Sequence, residues 1–154
     1  MLLVSGITQE GLEMKMHKFI AAFVQLETAI RLFLDDNNYV CALTLAGAAE
    51  EIFGTYARKL NEETAYNLLC KGLQKDLKYQ YSKQDVGIKF INFSRNELKH
   101  FKADQPEEFE IDLEFETISL IIRAILNMTT YKIMTENIIE FNKWVHVNRP
   151  DLYA

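Results

Sequence analysis

Arg95 and His100 stand in the string Ser94-Arg95-Asn96-Glu97-Leu98-Lys99-His100, and a guanidinium with an imidazole suffices for metal-free phosphodiester chemistry. A neutral imidazole can take a proton from a ribose 2′-hydroxyl because it is poised near neutral pH. A guanidinium can hold two phosphate oxygens and the negative charge that builds on them. On an ideal helix this spacing turns the two side chains ~140° apart. One chain therefore hardly aims both at one phosphate unless the helix ends at His100. Two chains related by a two-fold axis along this helix could, since each then contributes a copy of both groups. Asn96 lies four residues before His100, on its face, and could orient the ring or contact substrate. Arg95 also has a purely structural reading, an ion pair with Glu50 or Glu51 on a neighbouring helix.

Glu97 lies three residues before His100, and Glu-x-x-His on a helix is half of a di-iron carboxylate site in a four-helix bundle. The other half is missing: Met14 and Lys143 stand three residues before His17 and His146. Glu50 and Glu51 could be added, yet the constellation stays incomplete. No His-x3-His pair or Cys/His cluster is present, so no metal or cofactor is expected. His17 and His146 read as structural or exposed.

The charge is unevenly spread. The 154 residues carry a net charge of -5, but Lys71 to Lys102 hold eight basic residues against three acidic ones. Asp104, Glu107, Glu108, Glu110, Asp112, Glu114 and Glu116 follow at once. A local positive field on an acidic chain suits a small phosphate-rich site better than a long groove, although lysines also simply solvate helix faces. Two cysteines, Cys41 and Cys70, are too few for a disulfide framework and read as buried small apolar residues. The short apolar N-terminus lacks the basic flank of a signal peptide, and no segment approaches ~18 uninterrupted apolar residues. A cytoplasmic protein without a membrane span is expected, in which Asn92-Phe93-Ser94 and Asn127-Met128-Thr129 are sequons by accident.

The elements that must position these groups read as helices nearly throughout. Hydrophobic residues make up 49% of the chain, with only 2 prolines and 6 glycines, which disfavours an all-β sandwich. Met16, Phe19, Ile20, Phe23, Leu26, Ile30 and Phe33 predict a first helix from about Met14 to Asp35. Asp35-Asp36-Asn37-Asn38 forms a turn and caps a second helix, Tyr39 to Leu60, whose Ala42, Ala46, Gly47, Ala48 and Ala49 let another helix approach closely. Asn61-Glu62-Glu63 caps a third, with Ala65, Leu68, Leu69, Gly72 and Leu73 on one face. Ser82 starts a fourth, from about Lys83 to His100. Phe101 to Glu110 is a loop containing Pro106. Asp112 caps a long last segment, striped by Ile118, Ile121, Ile122, Ile125 and Leu126, which Thr129-Thr130 or Thr135-Glu136 kinks or divides. The expectation is a single all-α domain over residues 1–154, an up-and-down bundle of five to six helices. Most aromatics are expected in its core, with Phe101, Tyr79 and Tyr81 candidates for stacking on bases.

Arg-Asn-x-x-x-His late in a fourth helix of a small all-helical chain resembles the HEPN superfamily. The second-helix string Ala42-Leu43-Thr44-Leu45-Ala46-Gly47-Ala48-Ala49-Glu50-Glu51-Ile52 and the Glu110-Ile111-Asp112-Leu113-Glu114 approach to the fifth helix are similar to those of small bacterial HEPN-like proteins. The resemblance covers about residues 15 to 147. It implies a metal-independent endoribonuclease in which two protomers share a cleft and cut RNA by 2′-hydroxyl attack. By that resemblance Arg95 would stabilise the phosphorane and His100 would act as acid or base, with Asn96, Lys99 and Lys102 meeting substrate. It further implies a homodimer and a toxin or phage-defence setting, with a nucleotidyltransferase-type antitoxin as a possible partner. Other HEPN domains only bind RNA, nucleotides or proteins, so a non-catalytic module is the alternative. The acidic run from Asp104 to Glu116 would repel RNA if it bordered the cleft.

Overall fold

The computed structural model describes residues 15–153, and every regular element among them is helical. Seven α-helices form a bundle: α1 Lys18–Leu34, α2 Tyr39–Lys59, α3 Ala65–Asp76, α4 Lys83–Val86, α5 Phe93–Lys99, α6 Leu113–Asn127 and α7 Glu136–Asn148. The all-α expectation holds, with more helices than the five or six expected. The predicted start of the first helix at Met14 lies outside the described residues.

Helix α2 is the centre of the bundle, packed along both α1 and α6. Its small residues make this possible, since Ala42, Ala46 and Ala49 are fully buried where the neighbours come close. Leu26, Ile30 and Phe33 of α1, Phe53 of α2, Ile118 and Ile121 of α6, and Ile138 and Phe141 of α7 fill the core, each large side chain contributing roughly 1.5–3 kcal/mol of burial. Phe33 ties α1 to α7 through edge-on contacts with Phe141 at 5.4 Å and Trp144 at 4.8 Å. Among the described residues, no helix is long and apolar enough to cross a membrane.

Side-chain caps set most boundaries. Asn38, Ser82 and Asp112 each accept a hydrogen bond from the backbone N–H three residues on, starting α2, α4 and α6 as expected. His17 caps α1, its Nδ1 accepting from Phe19 N at 3.3 Å. The cap of α3 differs from expectation: Thr64, not Asn61-Glu62-Glu63, accepts from Asn67 N at 3.2 Å. Cys70 is buried as expected, whereas Cys41 is exposed.

Two predicted long helices are divided. The segment from Lys83 to His100 contains a π turn at Gly87–Ile91 that separates α4 from α5. The hydroxyl of Tyr66 occupies the space beside Gly87, 1.8 Å from where a Cβ would stand, and a widened turn lets the chain pass it. The last segment divides between Asn127 and Glu136, and both candidate points, Thr129-Thr130 and Thr135-Glu136, mark the division. Thr129 returns its hydroxyl to Leu126 O at 2.8 Å, Lys132 takes a left-handed conformation with φ 53°, and Thr135 caps α7 by accepting from Ile138 N at 3.2 Å.

Candidate active site

Gly47, Glu50, Glu51, Gly54 and Arg58 follow one another on α2 at helical spacing, which places them in a band ~100° wide along its surface. Two arginines cross this band where it has no side chains. Arg95 of α5 lies over Gly47, whose Cβ would stand 3.2 Å from Arg95 Cδ, and Arg58 folds back over Gly54, 3.6 Å from its Cβ position. The two glutamates sit between them.

Glu50 is 5% exposed and Arg123 of α6 is 2% exposed. Arg123 donates to Glu50 Oε1 at 3.0 Å and to Asn92 Oδ1 at 3.2 Å. Its guanidinium lies 5.6 Å from the centre of the Tyr66 ring. The other Glu50 oxygen is 4.0 Å from Arg95, so one buried carboxylate balances two guanidiniums. Glu51 pairs directly with Arg95 from the rim, with its own side chain 62% exposed. Asn127 secures the adjoining backbone: its Nδ2 donates to Glu50 O at 3.2 Å and its Oδ1 accepts from Ala65 N at 2.8 Å.

These residues enclose a cleft of about 170 Å³ lined by Arg58, Arg95, Arg123, Glu50, Tyr66 and Asn92 among others. Burial pushes the Tyr66 phenol above its ordinary value, so its hydroxyl keeps its proton. Burial also raises the carboxyl of Glu116, opposed by a hydrogen bond from Ser94 and by the charge of Arg123.

The residues singled out from sequence are not all brought together. Arg95 is largely buried, with its side chain 16% exposed, and takes both acidic partners that its structural reading named. Lys99 is exposed and joins Arg95, Thr44 and Glu51 around a second, smaller hollow of about 150 Å³. Asn96 is half-buried and its carbonyl accepts from His100 N at 2.9 Å. α5 ends at Lys99, and His100 is extended with φ −129° and ψ 129°, exposed and outside both hollows. Lys102 is likewise exposed in the following loop. Phe101 and Tyr79 are 68% and 69% exposed, and Tyr81 packs edge-on against Phe90 at 5.4 Å. Among the described residues, no group of three or more His, Cys, Asp or Glu side chains converges as a metal site.

Arg58, Tyr66, Asn92 and Arg123 escape a reading by motif. Arg123 did carry a signal: it interrupts Ile121-Ile122-Arg123-Ala124-Ile125, and a cation in so apolar a stripe needs a buried partner. The seven-residue repeat of Gly47 and Gly54 was a second sign, of something lying across that face. Comparison with protein-family models, with curated proteins and with solved structures finds no match to this chain.

Proposed function

We propose that this chain is a metal-independent endoribonuclease of HEPN type, cutting RNA at a site shared by two copies. His100 of one copy takes the proton of a ribose 2′-hydroxyl, whose oxygen attacks the adjacent phosphorus. Arg95 holds the equatorial phosphate oxygens as their charge grows. The bond to the 5′-oxygen breaks, the leaving oxygen takes a proton from the second imidazole, and a 2′,3′-cyclic phosphate remains. Asn96, Lys99 and Lys102 flank the strand. A toxin or phage-defence role in the cytoplasm, with a nucleotidyltransferase-type antitoxin as partner, accompanies this reading.

The observation that carries it is the end of α5 at Lys99. An unbroken helix would hold Arg95 and His100 ~140° apart, whereas an extended His100 is released from that constraint. The exposed Ile88, Phe90, Phe93 and Phe101 around α5 offer apolar surface that a second copy could cover.

A non-catalytic RNA-, nucleotide- or protein-binding module is the second reading, and the pairing of Arg95 with Glu51 and Glu50 favours it. Incubation of mixed RNA with the protein in EDTA separates the two. Cleavage to cyclic-phosphate ends, lost in both Arg95→Ala and His100→Ala, supports the nuclease. Intact RNA retained in a stable complex supports the binding module, and cleavage that EDTA abolishes defeats both.

A further inference from the structure

We propose that the cleft between α2, α3, α5 and α6 is a receptor for a single phosphate group, gripped by Arg58, Arg95 and Arg123. This deepens the RNA reading, on which it rests only for the source of the phosphate.

Three guanidiniums and two carboxylates, Glu50 and Glu51, line this space, leaving one positive charge in excess on its walls, while Glu116, which also feels the charge of Arg123, is not among the lining residues. The guanidinium donors are under-used. Each guanidinium carries five N–H groups in a planar fork. Arg58 bonds to the Thr55 hydroxyl at 2.8 Å, and no carboxylate among the described residues lies within ion-pair reach of it. Arg123 is 2% exposed, yet its Nε has no acceptor among the described residues. That Nε is closed to solvent, so Arg123 stands under-satisfied behind the wall, and an anion in the cleft is held by the charge of Arg123 rather than by this donor. The Arg123 guanidinium lies against the ring of Tyr66, 5.6 Å from its centre, and the ring forms part of the same wall.

Size and shape agree with this ligand. A space of about 170 Å³ is small beside the roughly 300–1,000 Å³ of pockets that enclose whole small molecules, but it is ample for one phosphate and its water. Glu50 is fixed by Arg123 and blocks deeper entry. Glu51 is mostly exposed, free to swing outward when a phosphate takes its place on Arg95.

Calorimetric titration of the full chain with inorganic phosphate, checked by phosphorus NMR, tests the site. Saturable one-to-one binding is expected, and Arg58→Gln should weaken it about tenfold, the loss of one charged hydrogen bond, with an unchanged helical spectrum. Lys143→Gln, an exposed change on α7, should leave it unaltered. Short oligoribonucleotides with and without a 5′-phosphate identify the source. Preference for the phosphorylated form marks a terminal phosphate, and equal competition by both marks an internal phosphodiester. No saturable binding, or an Arg58→Gln curve superimposed on the wild type, overturns the receptor. Phosphate binding without RNA cleavage retains the receptor and removes the nuclease, whereas cleavage without phosphate binding does the reverse.

Discussion

Arg95 rests against α2 at the one place where Gly47 leaves room for it: a Cβ there would stand 3.2 Å from Arg95 Cδ and 3.3 Å from Nε. The absence of one methyl group thus fixes how the guanidinium approaches Glu50 and Glu51. Gly47→Ala should raise intrinsic helix stability by up to ~1 kcal/mol while pushing Arg95 aside by a few tenths of an ångström. A melting temperature within a few degrees of the wild type, with reduced RNA turnover or binding, is the expected pair of results.

Glu51 competes with any phosphate for Arg95. Glu51→Gln should strengthen RNA association severalfold at low salt, because a negative charge leaves the rim. Its effect on stability should be modest, because Glu51 itself is mostly exposed and the largely buried Arg95 keeps Glu50 4.0 Å away. Filter binding at two salt concentrations and urea denaturation measure the two quantities.

Removing Glu50 has the opposite balance. Arg123 would keep Asn92 as its partner at 3.2 Å but lose its carboxylate in a buried setting. Glu50→Ala should cost ~3–5 kcal/mol, seen as an early urea midpoint. A loss below ~1 kcal/mol would mean that water reaches Arg123 freely.

Gly87 and Tyr66 are matched in the same way. A Cβ on Gly87 would meet the Tyr66 hydroxyl at 1.8 Å and its ring carbon at 2.9 Å. Gly87→Ala should destabilise by ~1–3 kcal/mol, and Tyr66→Phe in that background should restore part of it by deleting the closest atom. A double-mutant cycle in urea reads the coupling.

Stability should respond to pH through Glu116 and Asp151 with opposite signs. Burial raises the Glu116 carboxyl, so its contribution is present in acid and is lost as pH rises through the raised value. Glu116→Gln should therefore stabilise the protein at pH 7, with the gain vanishing below the ordinary glutamate range. Arg149 lowers the Asp151 carboxyl through its hydrogen bond, so that contribution is present at neutral pH and fades as acid protonates it. Thermal melts across pH 3 to 8 with Glu116→Gln and Asp151→Asn check both signs.

Apolar spacing and capping chemistry determined the helical architecture by themselves. The stripes of α1 and α6 and the caps at Asn38, Ser82 and Asp112 are local features, satisfied within a few residues of where they are written. The same reading named Glu50 and Glu51 as partners for Arg95. What lay beyond it depends on residues distant in the chain. The π turn exists where Tyr66, some twenty residues away, lies against Gly87. The arginine cleft appears only when α2, α3, α5 and α6 bring Arg58, Tyr66, Arg95 and Arg123 to one place. Periodicity specifies which face of a helix is buried, but a buried ion pair is specified by what stands opposite, and only tertiary packing supplies that neighbour.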